Sequence, residues 1–283
     1  METLDFTKPS QSPIYDPAAA IAFFKAAGTA EEVAAGKTFF VEHQQRGFFS
    51  AKDRMYVLLE GTVALSVGGK PVDTVKPGEI FGEMATITNS KRSATATAKT
   101  ACRVIALDSD QFQAAIEKTP GFPLALMSIM IDRLRLTQAR LAIKKVGPDN
   151  SEGSERRVFD DETLDQIASE LGNPALSNYS TGQIIFSAGE TGVQMYMPRK
   201  GRVAISVNGR FLEYVGVGGV FGEMTLVDRA ARSATAIAET DCALLTVNRN
   251  QFLELAQTNP AFGLSLLKLL GQRLQAATIQ LSK

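Results

Sequence analysis

The sequence has few of the residues on which enzyme and metal chemistry usually depend. Among 283 residues there are two cysteines and a single histidine, His43. One histidine excludes every metal motif that needs two, and it leaves only one candidate for a serine–histidine or cysteine–histidine pair. The N-terminus lacks a basic region followed by an apolar core, which argues against a secretory signal. We therefore expect a cytoplasmic protein that is not an enzyme and holds no metal.

Net charge and long apolar runs are also missing. Thirty Lys and Arg balance thirty Asp and Glu, so no overall field attracts nucleic acid or an anionic membrane. The longest apolar stretch, residues 122–143, is too charged for a membrane span. The charged residues within it are Asp132, Arg133, Arg135 and Arg140. We expect neither DNA nor a membrane as a partner.

The chain contains an internal duplication with a period of 140 residues. This shift aligns residues 81–84 with 221–224 and residues 92–96 with 232–236. Over residues 81–98, ten of eighteen positions are identical without a gap. A period this long predicts two domains of one fold, because solenoid repeats recur every 20 to 50 residues or so. Gly, Pro, Ser and acidic residues mark 147–156 as a linker, which gives domains 1–146 and 157–283.

Each copy has the same pattern of strands followed by helices. Residues 63–67 and 203–207 alternate apolar and polar side chains, and both runs end in two-residue turns typical of hairpins. Helix N-caps follow at residues 108–110 and 248–250. The pattern predicts an α+β, mainly β fold with two domains, each a β-roll (a jelly-roll-like antiparallel barrel) flanked by helices. Pro198 lies within a predicted strand, which we therefore expect at a sheet edge.

The duplicated segment has the chemistry of a nucleotide site. Residues 82–83 and 222–223 are Gly-Glu at a strand end, where a glycine permits an unusual backbone angle and a helical turn offers free N–H groups to an anion. Nine residues later, Arg92 and Arg232 stand among small apolar residues, and a planar guanidinium held inside suits a phosphate. A carboxylate beside it can accept a hydrogen bond from a ribose hydroxyl.

At these residues each copy resembles the cyclic nucleotide-binding domain, most closely the sensor domain of the catabolite activator protein family. The resemblance implies that Arg92 and Ser93 bind a cyclic phosphate and that Glu83 binds the ribose 2′-hydroxyl, with the equivalent residues acting alike in the second copy. The implied first pocket contains Phe81, Gly82, Glu83, Met84, Arg92, Ser93 and Ala94. The second contains Phe221, Gly222, Glu223, Met224, Arg232, Ser233 and Ala234. The alternative is that each arginine pairs internally with its glutamate and no ligand binds.

The purine is less closely defined by the sequence. In the family a hydroxyl on the long helix after the roll touches the base, which implies Thr137 and Thr278 here. The alternative for both is an ordinary helix threonine. Ser93 and Ser233, directly after the arginines, favour cAMP, and cGMP remains possible. We expect a cyclic nucleotide as ligand and no cofactor.

Apolar residues recur every seven positions in the two long helices. Met127, Leu134 and Leu141, with Met130 between the first two, align with leucines 140 residues later. This spacing suits a parallel helix pair, so one chain could form a pseudo-dimer. A helix that only covers its own roll has similar spacing, and a homodimer is a further alternative.

The two copies differ before the duplicated segment. Between corresponding glycines, the first copy has six more residues than the second. This insertion places His43, Phe48 and Phe49 on a predicted loop.

The sequence as a whole predicts a cyclic nucleotide sensor that signals through an effector protein. Lys283 closes the second long helix, and we expect no helix-turn-helix of the kind that binds DNA. Residues 1–45 contain no arginine, whereas a kinase regulatory subunit would need an Arg-rich inhibitory segment there. The alternatives are a regulatory subunit of a kinase or other enzyme, and a scaffold with empty pockets.

Overall fold

The computed structural model describes residues 15–44, 53–144 and 156–282. In the first domain the helices and strands are α1 Pro17–Ala27, β1 Thr29–Val33, β2 Thr38–Phe40, β3 Arg54–Glu60, β4 Val63–Val67, β5 Lys70–Val75, β6 Ile80–Phe81, α2 Glu83–Thr88, β7 Thr95–Ala98, β8 Cys102–Asp108, α3 Ser109–Lys118 and α4 Phe122–Lys144. In the second they are α5 Asp161–Glu170, β9 Ser177–Tyr179, β10 Ile184–Phe186, β11 Gln194–Lys200, β12 Val203–Val207, β13 Arg210–Val215, α6 Met224–Asp228, β14 Thr235–Ala238, β15 Cys242–Asn248, α7 Arg249–Thr258 and α8 Pro260–Ser282.

Each domain is a roll of two antiparallel sheets with helices at its ends. The first domain has strand orders β1-β8-β3-β6 and β2-β7-β4-β5, and the second has β9-β15-β11 and β10-β14-β12-β13. The register is also repeated, since Val63 pairs with Ala98 and Val203 with Ala238. The predicted fold, a β-roll flanked by helices in each domain, is confirmed.

A proline accounts for one difference between the two rolls. The N–H of Leu58 in β3 donates to the Glu79 carbonyl over 3.0 Å. The equivalent residue in β11 is Pro198, which has no N–H. The second-domain counterpart of β6 is a single bridge between Tyr196 and Phe221. Among the described residues, β11 is therefore an edge strand of its sheet, as Pro198 predicted.

The helix N-caps are those that the sequence predicted. Asp108 caps α3 and exchanges hydrogen bonds of 2.9 Å with Gln111 in both directions. Asn248 and Gln251 repeat this capping box at α7. Each box satisfies two backbone N–H groups that a helix start would otherwise leave unpaired. The caps fix the point where each roll turns into its helices.

The two long helices pack on each other within the chain. Met127, Met130 and Leu134 of α4 are buried in the same continuous core as three leucines of α8, at positions 267, 270 and 274. A Cβ on Gly263 would lie 3.2 Å from Pro123, and one on Gly271 would lie 3.8 Å from Met130. Residues early in α4 contact residues early in α8, and later residues contact later ones. The two helices therefore run parallel. The predicted helix pair is present.

Each long helix also reaches the short helix of the other domain. Helix α8 packs on α2, and helix α4 packs on α6.

The described helices include none that is both long and apolar enough to cross a bilayer. His43 is exposed with φ of 59°, in agreement with a loop. Phe48, Phe49 and the predicted linker up to residue 155 lie outside the described residues.

Candidate functional site

Both pockets begin at a glycine in the left-handed backbone region. Gly82 has φ of 77° and Gly222 has φ of 79°. A Cβ on Gly222 would lie 2.7 Å from Nη1 of Arg232, and one on Gly82 would lie 2.9 Å from the Phe40 ring and 3.2 Å from Nη1 of Arg92. Both the backbone angle and the close guanidinium require glycine at these positions.

In the first pocket, Arg92 lies inside the roll, as its small neighbours predicted. Its side chain is 6% exposed. Nη1 donates to the Gly82 carbonyl over 2.8 Å, and Nη2 donates to the Arg54 carbonyl over 2.9 Å. The Asp53 carboxylate lies 3.3 Å from Nη2, and the guanidinium carbon lies 4.2 Å from the centroid of the Phe40 ring. The cation is therefore held by carbonyls, one carboxylate and an aromatic face.

In the second pocket, Arg232 has no carboxylate among its described hydrogen-bond partners. Nη1 donates to the Gly222 carbonyl at 2.7 Å and to the Thr225 hydroxyl at 3.0 Å, and Nη2 donates to the Gln194 carbonyl at 2.6 Å. Its Nε is buried without a partner in the described part of the chain. Burial lowers the pKa of Arg232 below its ordinary value. A buried donor without an acceptor is costly, and a phosphate oxygen is an acceptor of the kind that it needs.

The buried glutamates pair with arginines that the sequence did not single out. Glu83 is 2% exposed and accepts a hydrogen bond from Nη1 of Arg133. Glu223 accepts one from Nη1 of Arg273 at 2.7 Å. The alternative of internal Arg92–Glu83 and Arg232–Glu223 pairs is therefore wrong, because both partners come from the long helices. The available signal was that the 140-residue shift aligns Arg133 with Arg273 within otherwise apolar helices.

The second glutamate belongs to a larger charge network. Arg273 also contacts Glu213 at 2.8 Å and donates to the Val220 carbonyl at 2.9 Å. Burial alone would lower the pKa of Arg273, but Glu213 and Glu223 outweigh burial and raise it. The first domain has Asp73 where the second has Glu213. Arg273 is thus fixed from two sides.

The other predicted residues of the first pocket converge on one cavity. The Ser93 hydroxyl lies 3.8 Å from the Met84 sulfur, and Phe81 is buried against Tyr56 with ring centroids 5.1 Å apart. The cavity is lined by Phe40, Leu65, Phe81, Gly82, Glu83, Met84, Ala85, Arg92, Ser93, Ala94 and Arg133. All seven residues predicted for the roll part of this pocket are among them.

The second domain places the equivalent residues in the same order around Arg232. Phe221 is buried and stacks on Tyr196 with centroids 5.1 Å apart. Met224 is buried in the helical core, and Ser233 and Ala234 are half-buried beside Arg232. Phe221 therefore packs in the core of the second roll, and Met224 packs in the helical core.

The two threonines make local contacts on the long helices. The Thr137 hydroxyl donates to the Arg133 carbonyl, and the Thr278 hydroxyl donates to the Leu274 carbonyl, both over 2.8 Å. These bonds to the fourth preceding residue are common for helical threonines. Thr137 is outside the set that lines the cavity. Its position on α4, one turn after Arg133, still places it on the helix that carries a pocket residue.

Comparison with known protein families gives two matches to one domain model. The model of the cyclic nucleotide-binding domain matches residues 47–119 and 176–259, one match in each roll. The chain belongs to the cyclic nucleotide-binding domain family. Both matches include the glycine, glutamate and arginine described above.

Relatives of this chain match it over different lengths. The chain is 27% identical over 204 residues to a cAMP-dependent protein kinase regulatory subunit of Eremothecium gossypii, covering 72% of this chain and 40% of that protein. It is 26% identical over 196 residues to a cGMP-dependent protein kinase of Toxoplasma gondii, covering 69% and 17%. It is 36% identical over 108 residues to the cyclic AMP receptor protein of Thermus thermophilus, covering 36% and 50%. The chain thus spans half or less of each relative.

Proposed function

We propose that this protein is a cAMP sensor that binds one nucleotide in each roll and signals through an effector protein. The observation that carries the proposal is the repeated set of a buried arginine, a left-handed glycine and a buried glutamate. A structural ion pair would not need this set, because each glutamate already has its own arginine on the long helix. In the described part of the chain, the ion pairs of the two glutamates are therefore made with Arg133 and Arg273 rather than with Arg92 and Arg232.

The cyclic phosphate fits the environment of the two arginines. Each guanidinium is 6% exposed and lies over a phenylalanine ring, Phe40 or Phe186, at about 4 Å. Burial of a cation is costly unless an anion and hydrogen bonds compensate for lost solvation. A phosphate supplies both, and its oxygens can accept from the guanidinium and from N–H groups near the following alanine.

The ribose fits the two glutamates. A carboxylate can accept several hydrogen bonds, so Glu83 can bind a 2′-hydroxyl while Arg133 fixes its orientation. The same applies to Glu223 and Arg273. Since each of these arginines stands on a long helix, ribose binding would act on α4 and α8 directly.

The choice of cAMP as ligand rests on the serine after each arginine and on the relatives. Serine after each arginine favours cAMP, and two of the three relatives named above have names that contain cyclic AMP or cAMP. The third is a cGMP-dependent kinase, so cGMP is the competitor to test. A kinase regulatory subunit is the second candidate function, because such a protein matches over 72% of this chain.

Titration calorimetry of the full chain with cAMP and with cGMP tests the proposal. We expect two cAMP molecules per chain and weaker binding of cGMP. Arg92→Ala and Arg232→Ala should each remove one site, with a loss of roughly 30-fold to several thousand-fold. The matched control is Arg103→Ala, which removes an exposed arginine paired with Glu60. Two-site binding that survives in the double variant would contradict the pocket assignment.

A 2′-deoxy analogue tests the role of the glutamates separately. Glu83→Gln and Glu223→Gln should weaken cAMP binding at their own pocket but leave the affinity for 2′-deoxy-cAMP almost unchanged, since that analogue has no hydroxyl to bind. Equal weakening of both nucleotides would show that the glutamate acts only on pocket structure.

A further inference from the structure

One side chain of the first domain contacts the second domain at residues 228–231, the turn that leads to Arg232. Nε of Arg135 in α4 donates to Oδ2 of Asp228, and Nη2 donates to Oδ1 over 3.2 Å. Nη1 donates to the Ala231 carbonyl over 3.1 Å. The Asp228 side chain is 7% exposed. This is a two-pronged ion pair to a largely buried carboxylate, a geometry that fixes position as well as charge.

The segment that Arg135 contacts leads directly to the second pocket. Asp228 ends α6, and its Oδ1 also accepts the N–H of Ala230 over 3.0 Å. Arg229 between them has φ of 59°, a left-handed conformation that is unfavourable for arginine. Arg135 thus holds both ends of the turn that precedes Arg232. Without it, a buried carboxylate would lose its cation and the turn would lose an anchor.

Among the described residues, the first pocket has no equivalent ion pair. The 140-residue shift places Gln275 where the first domain has Arg135, and Thr88 where the second has Asp228. There, α8 approaches α2 closely, because a Cβ on Gly271 would lie 2.5 Å from the Thr88 side chain. The ionic contact is therefore made in one direction, from the first domain to the second pocket.

We propose that Arg135 is a positioning residue of the second pocket, supplied by the first domain, and that it couples the two pockets. The proposal rests on the proposed function for its ligand. Helix α4 carries Arg133, which binds Glu83 of the first pocket, two residues before Arg135. A nucleotide bound to Glu83 therefore acts on the turn of α4 that contains Arg135, and Arg135 contacts residues 228–231 beside the second pocket. Occupancy of the first pocket strengthens binding at the second.

Site-resolved binding measures both parts of the proposal. Arg135→Gln, which installs the residue found at position 275, should weaken cAMP at the second pocket by roughly 5- to 50-fold. Because coupling between two binding sites is reciprocal, the first pocket is measured with the second one emptied by Arg232→Ala, and there Arg135→Gln should leave its affinity unchanged. Asp228→Asn should have the same effect, and the double variant should be no worse than either single one. Gln275→Ala is the matched control and should alter neither pocket.

The coupling is tested by emptying the first pocket with Arg92→Ala. In the otherwise native chain this should weaken the second pocket roughly fivefold or more. In the Arg135→Gln chain, the same change should leave the second pocket unaffected. A second pocket that responds to Arg92→Ala equally in both backgrounds would overturn the coupling.

Hydrogen exchange of the ligand-free protein provides a readout that does not depend on nucleotide binding. Arg135→Gln should increase exchange in residues 229–232 but not in residues 89–92. If the native chain binds no cyclic nucleotide, the proposed function fails, yet this measurement still decides the positioning role. Unchanged exchange in residues 229–232, or an equal loss of affinity at each pocket when the other pocket is emptied, would overturn it.

Discussion

The two pockets share a layout but differ in the charge around the arginine. In the first, Asp53 places a carboxylate 3.3 Å from Arg92. In the second, the equivalent residue is Val193, and the described hydrogen bonds of Arg232 all go to neutral oxygens. The first cation has a carboxylate in direct contact, whereas the carboxylates that favour the charge of the second, Glu223 and Glu190, form no ion pair with it among the described residues and do not offset its burial. The copies therefore conserve geometry and differ in how strongly they attract an anion.

The space beside the arginine differs as well. In the second pocket, Gly192 packs so closely that a Cβ would lie 2.6 Å from Nε of Arg232 and 2.5 Å from the Thr225 hydroxyl. Gly192→Ala should therefore displace the guanidinium and weaken cAMP at the second pocket by about 3 kcal/mol, roughly 100-fold, while sparing the first. Gly121→Ala, whose Cβ would meet Gln257 at an ordinary 3.9 Å, is the control. Calorimetry in the Arg92→Ala background isolates the pocket concerned.

The charge networks behind the glutamates should respond unequally to the same substitution. Glu83→Gln removes the ion pair that Arg133 makes with this carboxylate, although Asp73 and Glu79 still attract the cation. It should lower the free energy of unfolding by about 2 kcal/mol, allowing for the partial exposure of Arg133. Glu223→Gln should cost only about 1 kcal/mol, because Arg273 keeps Glu213 at 2.8 Å. Urea unfolding measures both. A larger loss for Glu223→Gln would reverse this ranking of the networks.

The contact of α8 with the first pocket should be sensitive to added volume. Gly271→Ala places a methyl against Thr88 of α2, and the overpacking should exceed the gain in helix propensity, for a net loss of about 1 kcal/mol in unfolding free energy. The affinity of the first pocket should fall and that of the second should not. Equal changes at both pockets would show that the helix pair, rather than α2, responds.

The smallest expected effect concerns Asp53. Asp53→Asn removes a carboxylate that competes with the phosphate for Arg92, so cAMP should bind the first pocket about fivefold more tightly, close to 1 kcal/mol. Val193→Asp should weaken the second pocket by a similar factor. Calorimetry at two salt concentrations checks the electrostatic origin, since added salt should reduce both changes. Unaltered affinity in both variants would mean that the carboxylate has no influence on the ligand.

Most of the fold and half of each pocket follow from local sequence. The duplicated segment keeps glycine, glutamate and arginine within about a dozen residues, so their proximity needs no tertiary information. Arg133 lies 50 residues beyond Glu83, and only the packing of α4 on the roll brings the two together. For the same reason, the sequence alone shows Asp132, Arg133 and Arg135 only as charges that break an apolar stretch. The Arg135–Asp228 contact spans two domains, and the equivalent positions hold Gln275 and Thr88, so self-comparison could not reveal it.

Because the two rolls belong to one chain, the interface between them need not have the twofold symmetry of a homodimer. In a homodimer with a twofold axis, every contact across the interface occurs twice, and a substitution changes both halves at once. Here the parallel pair of α4 and α8 joins two copies that mutate independently. A residue such as Arg135 can therefore form an ion pair on one side while Gln275 stays neutral on the other. A single chain can therefore keep an interdomain ion pair beside only one of its two pockets, while any coupling of binding that passes through this ion pair still acts equally in both directions.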